Sequence, residues 1–299
     1  MDKELNYPIL VNAITGGTKK AKSINESLAY LSNKYGLAMA VGSQTIALDD
    51  PDQRDSFSIV RDVNPDGIIL ANIGANRKVE QALQAVEMIS ADALQLHFNV
   101  PQELSMPEGD RNFKGIIENV SKIIEKCPVP VIAKEVGFGF SRESVKELYM
   151  AGVQLFDNGG KGGTNFIVIE GQRQGLFANG LSDWGIPTAA SLAEIISLRL
   201  PIKVIASGGI RSASDIAKAI ALGADLVGAA GPFLKVLLNE NITKLDTRMK
   251  DFFYMLKAVF LMTGSRNCEE IKRQPLIILN DTANWLLNRG IDPTKWSQR

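Results

Sequence analysis

The chain has 299 residues, of which 45% are hydrophobic and 22% charged. This composition is typical of a globular protein with a large core and excludes a disordered or fibrous chain. Lysine plus arginine and aspartate plus glutamate each number 33, so the net charge is zero. A balanced chain has no general attraction to nucleic acid or to an anionic membrane. The two cysteines provide no disulfide framework, and no apolar run suits a signal peptide or a membrane span, so a cytoplasmic protein is expected.

Eight apolar segments alternate with stretches of helical periodicity along the chain. Because these segments are continuously apolar, they predict parallel strands buried on both faces. Eight such units in a chain of this length predict one (β/α)8 TIM barrel domain over residues 1–299. An open doubly wound sheet is the alternative, which is disfavoured because no GxGxxG follows the first strand. The predicted strands are Ile9–Ile14, Leu37–Gly42, Gly67–Ile73, Ala93–Asn99, Val129–Glu135, Gln154–Asp157, Lys203–Ser207 and Leu226–Ala229.

Helices are predicted between most of these strands and after the last one. The segment Asn165–Trp184, which contains Arg173 and Phe177, is long for a loop and predicts a lid, a wall or a subunit contact. Two C-terminal segments show helical spacing with one apolar face. The predicted helices are Ala21–Tyr35, Lys78–Ile89, Phe113–Lys126, Arg142–Ala151, Ser191–Leu198, Ser212–Leu222, Asp246–Thr263 and Asp281–Arg289.

The stretch Leu94–Arg111 carries the densest group of polar residues. It opens as an apolar strand and continues through the single histidine of the chain, His97, into a run of amides and carboxylates. Two prolines and a glycine in this run disfavour a helix and predict a loop. In parallel α/β folds such a loop lies at the carboxyl ends of the strands, where active sites are built. A polar surface loop without a function is the alternative.

Glycines and small polar residues stand at nearly every predicted strand end. A single loop of this kind is ordinary punctuation, but seven together indicate that backbone approaches a bulky ligand. The seventh, Ser207–Arg211, leads into a predicted helix, and exposed amides with a nearby arginine are suited to bind a phosphate. Lys134, at the end of an apolar strand, is a second cation at the same end of the barrel. A role at a ligand and a salt bridge to Glu135 or Asp157 are both compatible with its position.

Several strings of the chain, in order, resemble the type 2, FMN-dependent isopentenyl-diphosphate Δ-isomerases. The resemblance runs from about Leu10 to the end, and its most specific part is the pair HFNVPQE and MPEGDR. The block SGGIRSASDIAKAIALGA is shared more widely among FMN-binding barrels. The other matching strings are NAITGGT, AVGSQ, NIGA, KEVGFG, GGKGGTNF, WGIPTA and WLLNRG.

The resemblance implies the reversible conversion of isopentenyl diphosphate to dimethylallyl diphosphate by a 1,3-proton shift. It further implies reduced FMN, with NAD(P)H commonly supplying the electrons, a Mg²⁺ on the diphosphate, and a homo-oligomer, either a tetramer or an octamer. In this family the reduced flavin itself is proposed as the acid–base group. This suits the chemistry, because an unactivated alkene is a poor base and needs an acid held against the carbon in a dry site.

The resemblance also assigns site residues. Gln102 and Asn99 are amides, which cannot readily donate a proton at neutral pH, so they are expected to orient the substrate. His97 is expected near substrate and flavin, and Glu103 at the Mg²⁺. The flavin ring and ribityl chain are expected along Ala13, Ile14, Thr15, Ser43, Asn72, Lys134 and Thr164, and the flavin phosphate at Gly209, Ile210, Arg211, Ala230 and Gly231.

One feature of the family is not found in this sequence. Its members carry an N-terminal segment with an Arg-Lys…Glu-His motif that helps to hold the substrate diphosphate, whereas this sequence begins almost at the first strand. The expectation is a fragment or a protein without that clamp, with weaker substrate binding.

Two alternatives to the isomerase remain: an FMN barrel oxidoreductase of the 2-hydroxy-acid oxidase type, and a flavin-binding protein without catalysis. The first needs a histidine base near the end of the barrel, where this chain has none.

Overall fold

The computed structural model describes residues 3–174 and 180–299, apart from the side chains of Arg173 and Gln174. In this part of the chain, eight parallel strands close into a barrel in sequence order, with the eighth paired to the first. The predicted (β/α)8 barrel is confirmed, and the open sheet is excluded. The strands are β1 Ile9–Val11, β2 Ala38–Ala40, β3 Ile69–Gly74, β4 Ala93–Phe98, β5 Val131–Glu135, β6 Leu155–Asp157, β7 Lys203–Ser207 and β8 Leu226–Ala229.

Helices alternate with the strands, and further helices follow the last strand. All eight predicted helices are confirmed to within a few residues, except that Asp246–Thr263 is the second part of a longer helix. Phe177 and the side chain of Arg173 lie outside the described residues, and the segment around them begins with a helix. The helices are Lys19–Tyr35, Thr45–Asp49, Asp55–Val63, Val79–Met88, Val100–Ser105, Ile116–Lys126, Arg142–Met150, Phe166–Gln174, Thr188–Ser197, Ala213–Leu222, Gly231–Asn239, Ile242–Met262, Cys268–Ile271, Asn280–Asn288 and Thr294–Ser297, with a 3₁₀ turn at Pro51–Gln53.

The prediction of a loop after β4 is wrong for Val100–Ser105, which forms a short helix. Pro101 lies in its first turn. The N–H that proline lacks would have no intrahelical acceptor there, so proline is compatible with this helix. The second proline, Pro107, and Gly109 follow the helix, and from there to Asn112 the chain runs without a helix or strand. A proline therefore opens the helix that it was expected to prevent.

The interior of the barrel consists of two layers with opposite character. Side chains alternate between the two faces of a strand, so residues two apart point to the same side. The lower layer is apolar and fully packed, with members such as Leu10, Leu70 and Ile132. Two residues further along the same strands stand Asn12, Asn72, Gln95, Lys134, Asp157 and Ser207. A buried apolar layer therefore lies beneath a polar one.

The C-terminal helices are anchored on a buried carboxylate. Glu194, in the helix Thr188–Ser197, is fully buried. Its Oε1 accepts hydrogen bonds from Trp285 Nε1 at 2.7 Å and Arg289 Nε at 2.9 Å. Both partners belong to the string WLLNRG, which thereby closes against the barrel wall. No described helix is both long and apolar enough to cross a lipid bilayer.

Replacing Arg289 by methionine should destabilise the fold, because the Glu194 carboxylate would remain buried without its cation. Breaking such a pair costs about 3–5 kcal/mol when both partners are buried, and the partly exposed Arg289 lowers the expectation to about 2 kcal/mol. Chemical denaturation measures the change. The control Arg266→Met, at an exposed pair with Glu270, should cost about 0.5 kcal/mol or less. Equal losses in the two variants would contradict the anchor.

Candidate active site

A cavity of about 810 Å³ opens at the carboxyl ends of the strands. This volume lies within the range of about 300–1,000 Å³ typical of small-molecule sites. All eight strands, or the loops that directly follow them, contribute polar residues or glycines to the wall of the cavity. The lining of the cavity includes Asn12, Ala13, Ile14, Ser43, Asn72, His97, Gln102, Lys134, Glu135, Thr164, Phe166, Ser207, Gly209, Ile210, Arg211, Ala230, Gly231 and Lys235.

Asp157 is the centre of the polar layer beneath this cavity. The side chain is fully buried, and its Oδ2 lies 2.8 Å from Lys134 Nζ. Asn12 Nδ2 donates to the same oxygen at 2.8 Å, and Ser207 Oγ and Gly159 N donate to Oδ1. The buried charge is therefore paired and hydrogen-bonded on both oxygens. Lys134 has the predicted place at the cavity and also makes the alternative salt bridge to Asp157.

A row of side-chain amides leads from Asp157 to His97. Gln95 Nε2 donates to Asn12 Oδ1 at 3.2 Å, and Asn72 Nδ2 donates to Gln95 Oε1 at 3.2 Å. Asn72 Oδ1 then lies 2.8 Å from His97 Nδ1. Burial, together with the charges of Lys134 and Arg77, lowers the pKa of His97 to about 4. The imidazole is accordingly neutral at neutral pH.

The short helix Val100–Ser105 forms one rim of the cavity. Gln102 lines the cavity, and its Nε2 donates to Glu170 Oε1 at 3.4 Å, across to the helix Phe166–Gln174. Glu103 turns away from the cavity lining. Its Oε1 accepts from Asn99 Nδ2 at 2.7 Å and its Oε2 from Asp110 N at 2.8 Å. Asn99 thus orients Glu103, and two of about four acceptor positions of the carboxylate remain available.

The glycines after β6 and β7 bring two loops together. At Gly208 the φ angle is +104°, and a Cβ there would lie 2.0 Å from Gly160 O. At Gly209 φ is +78°, and a Cβ would lie 2.4 Å from Gly162 O. Both backbone conformation and space require glycine. The sequence interpretation attributed these glycines to a nearby ligand, and the structure shows that they also permit contact between the loops.

The phosphate-binding arrangement differs from the predicted one in its donors. Asp215 accepts from the amides of Arg211 and Ser212 at 3.0 and 2.9 Å, so a capping box already occupies those amides. The amides of Gly209 and Ile210 donate to no described residue. They face the cavity beside the first turn of the helix Gly231–Asn239, where the amide of Gly231 also donates to no described residue, whereas Phe233 N donates to Ala230 O.

Two cations flank this group of amides. The Arg211 guanidinium lines the cavity and donates to Gly162 O at 2.7 Å. Lys235 lines it as well, one turn after Gly231. The loops after β7 and β8, which belong to neighbouring strands, therefore form one concave and positively charged surface. Such a surface is suited to a phosphate.

Glu135 shapes the wall between β5 and β6. The side chain is buried, and its Oε2 accepts from the amides of Gly137, Phe138 and Gly139 at 2.5 to 2.9 Å. Burial raises the pKa of this carboxyl to about 7, although the three amides act in the opposite direction. The loop after β5 is thereby tied to the end of its own strand.

The structure brings most of the predicted site residues to one cavity. Three are not in its lining: Thr15, Asn99 and Glu103. Thr15 O instead accepts from Gly42 N and Asn25 Nδ2. No role was predicted from the sequence for Asn12, Gln95 or Lys235. Asn12 directly follows β1 and Gln95 lies in β4, both at the same alternate positions as Asn72 and Lys134, and Lys235 follows Gly231 at i+4, so both spacings were available as signals.

A closed barrel with a polar cavity at the carboxyl ends of its strands is the arrangement of (β/α)8 enzymes, and comparisons with known proteins identify the family. The family model described as FMN-dependent dehydrogenase matches residues 114–277. An isopentenyl-diphosphate delta-isomerase of Moorella thermoacetica is 48% identical over 97% of this chain and 84% of its own length. The isopentenyl-diphosphate delta-isomerase of Geobacillus sp. is 47% identical over 99% of this chain and 85% of its own. The chain belongs to the type 2 isopentenyl-diphosphate delta-isomerase family.

Solved structures with the same fold are more distant. A mandelate oxidase variant, in a structure with an FMN adduct, superposes with a TM-score of 0.66 at 16% identity, covering 90% of this chain and 81% of the other. A lactate oxidase of Pediococcus acidilactici gives 0.67 at 18% identity, covering 92% and 77%. At these identities the likeness concerns the fold alone.

The low pKa of His97 predicts a pH-dependent stability. The folded-state pKa of about 4 lies below the ordinary 6.5, so between these values the unfolded chain binds a proton that the folded protein does not. Stability from His97 is therefore complete above the ordinary pKa and is lost as the pH falls through the folded-state value. The loss should reach about 2 kcal/mol at about pH 5.

Denaturation curves of the wild type and His97→Gln at several pH values measure this contribution. The variant should lose about 2 kcal/mol less than the wild type between neutral pH and about pH 5. The control Gln44→Met removes a buried, non-titrating side chain and should lower stability evenly across the same pH range. Parallel curves for wild type and His97→Gln would contradict the assigned pKa.

Proposed function

We propose that this chain reversibly converts isopentenyl diphosphate to dimethylallyl diphosphate by proton addition and elimination, with reduced FMN, Mg²⁺ and NAD(P)H as the reductant. The observation that carries the proposal is that one cavity brings together most of the residues that the family resemblance assigns to the site. One end of the cavity has cations and free backbone amides, and the other end has neutral side chains, several of them amides. Such a pair of ends suits a ligand with a phosphate at one end and a flat polar ring at the other.

The residues present fit FMN. The free amides of Gly209 and Ile210, with Arg211 and Lys235, would hold its phosphate. Lys134 would carry positive charge toward the ring from its place above Asp157. When bound and reduced, the flavin would supply the acid–base group for the proton shift. Of the side chains proposed on the substrate side, His97 is neutral and Gln102 is an amide, so neither is an acid at neutral pH.

The substrate side is the rim formed by Gln102 and the neighbouring His97. Gln102 would orient the diphosphate or the alkene through its amide, with its angle fixed by Glu170. A proton delivered to carbon requires the carbon to be held against the donor without competing water. The polar layer beneath the cavity is bonded within the protein, which supports a fixed arrangement of the groups that face the substrate.

Mg²⁺ fits this site as an ion held jointly by protein and substrate. Among residues 3–174 and 180–299, no group of three or more metal-binding side chains occurs. Mg²⁺ commonly binds one or two carboxylates and completes its shell with water and phosphate oxygens. Glu103, held by Asn99 and Asp110, retains acceptor positions for this role. It would then supply the carboxylate contact of the protein to the ion.

A homo-oligomer, a tetramer or an octamer, is part of the proposal. Its support is an exposed apolar group at the end of the helix Ile242–Met262. There Tyr254, Leu261 and Met262 are 76%, 81% and 78% exposed. Monomeric proteins rarely leave contiguous apolar patches uncovered. Light scattering of the purified protein measures the assembly directly.

Product analysis after incubation with isopentenyl diphosphate tests the proposed function. Dimethylallyl diphosphate is expected as the product when FMN, Mg²⁺ and NAD(P)H are present without oxygen. Parallel incubations with lactate or mandelate and oxygen test the 2-hydroxy-acid oxidase alternative. Flavin binding without turnover of any of these substrates would favour the non-catalytic alternative and contradict the proposal.

Replacing Arg211 by alanine should weaken FMN binding about tenfold or more, because a charge-assisted contact to phosphate would be lost. Titration of the apoprotein with FMN, followed by flavin fluorescence, measures the affinity. Arg266→Ala, at an exposed arginine paired with Glu270, is the matched control and should leave the affinity unchanged. An unaltered affinity in Arg211→Ala would contradict the phosphate assignment.

Replacing Glu103 by glutamine should raise the Mg²⁺ concentration needed for half-maximal turnover, because a neutral amide is a weaker ligand for this cation. Flavin affinity should stay the same. Mg²⁺ titration curves that coincide for wild type and Glu103→Gln would remove Glu103 as a ligand.

Replacing Gln102 by alanine should abolish isomerisation and leave flavin bound. Loss of flavin from Gln102→Ala would contradict the role of Gln102 on the substrate side.

A further inference from the structure

The side-chain amides between Asp157 and His97 form a hydrogen-bonded row in which only one assignment of donors and acceptors is consistent. Two groups at the Asp157 end of the row cannot exchange the roles of donor and acceptor. Asp157 offers only acceptors, and the backbone N–H of Ala13 is only a donor. Asn12 contacts both: its Oδ1 accepts from Ala13 N at 2.9 Å, and its Nδ2 donates to Asp157 Oδ2 at 2.8 Å. Asp157 and Ala13 N therefore each fix the orientation of the Asn12 amide independently.

Gln95 receives its orientation from these neighbours. It is fully buried, and the two atoms nearest one end of its amide are acceptors, Asn12 Oδ1 at 3.2 Å and Asp157 Oδ2 at 3.4 Å. Only the amide nitrogen can face them. Gln95 Oε1 must then point to Asn72, which is 97% buried. It accepts there from Asn72 Nδ2 at 3.2 Å.

The orientation of the Asn72 amide determines which nitrogen of the His97 imidazole carries the proton. With its nitrogen committed to Gln95, Asn72 presents Oδ1 to His97 Nδ1 at 2.8 Å. A neutral imidazole has one donor and one acceptor nitrogen, so the proton must lie on Nδ1. Nε2 forms no hydrogen bond within the described part of the chain and carries the lone pair. His97 lines the cavity.

We infer that Gln95 is a positioning residue that holds His97 in the Nδ1–H tautomer and thereby presents Nε2 to the cavity as a hydrogen-bond acceptor. The ligand group that this acceptor recognises is an N–H or O–H donor. Gln95 is not itself a cavity-lining residue, and it acts on His97 through Asn72. The inference rests on the proposed function only in that a ligand occupies this cavity, since the tautomer is a property of the free protein.

Because His97 is the only histidine of the chain, isotope-labelled histidine gives a single imidazole in a nuclear magnetic resonance spectrum. The ring nitrogen and carbon shifts of the purified, ligand-free protein at neutral pH identify the protonated nitrogen. One signal of the Nδ1–H tautomer is expected. A spectrum of the Nε2–H tautomer, or of both tautomers in exchange, would overturn the inference. This measurement requires no variant and no activity.

The variant Gln95→Met removes the amide while approximately conserving volume. The Asn72 amide then loses the partner that fixes its direction, and a shift to the Nε2–H tautomer or to a mixture is expected. Gln44→Met is the matched control. Gln44 is equally buried and also contacts Asn72, but at its backbone N–H, so the wild-type tautomer should persist. An unchanged tautomer in Gln95→Met would overturn the inference, as would a changed one in Gln44→Met.

Discussion

The buried ion pair between Asp157 and Lys134 is the interaction on which the site depends. A carboxylate without solvent exposure is tolerated only when its charge is paired and its oxygens are hydrogen-bonded. Here β5 supplies the cation, β1 and β7 supply Asn12 and Ser207, and the loop after β6 supplies a backbone amide. Four parts of the barrel are thus held in fixed register directly below the cavity. The same carboxylate, through Gln95 and Asn72, sets the direction of hydrogen bonding as far as β4.

This arrangement divides the cavity into two chemically different regions. Near β4 the groups are neutral, because the amides pair with one another and the pKa of His97 is depressed. Near β7 and β8 the groups are free amides, Arg211 and Lys235. Only the second region is suited to a phosphate. Under the proposed function, a ligand with one phosphate and a polar ring would be bound in one orientation, with the ring over Lys134 and the rim helix.

Much of this site follows from local patterns in the sequence. Continuous apolar strands predict a parallel barrel, and alternation along each strand places residues such as Asn72 and Lys134 in its interior. The strand ends therefore meet at one mouth in any closed barrel. Glycine at positions 208 and 209 was also correctly associated with this mouth, although close contact with the loop after β6 is part of its cause.

What could not be predicted depends on contacts between distant segments. The capping box of Asp215 occupies two amides that the glycine motif had suggested for a phosphate. Asn99 and Asp110 hold Glu103 outside the cavity lining. The direction of the Gln95 amide depends on a residue 62 positions away. Spacing along the chain contains none of this information.

The barrel is shared with oxidases of 2-hydroxy acids, so the fold alone does not select the chemistry. The distinguishing feature is the neutral region around β4. A base with a pKa of about 4 is poorly suited to remove a proton from an alcohol at neutral pH. In contrast, the proton shift of the proposed function would need groups that orient the substrate, and Gln102 and the neutral His97 are available for this.

The most direct test of this account compares one enzyme preparation in two redox states. The purified protein, saturated with FMN and Mg²⁺ under anaerobic conditions, receives isopentenyl diphosphate either as the oxidised flavoprotein or after reduction with dithionite. The account predicts dimethylallyl diphosphate only from the reduced preparation, with no net oxidation of flavin as product accumulates. Equal product formation in both states, or flavin oxidation in proportion to product, would contradict it.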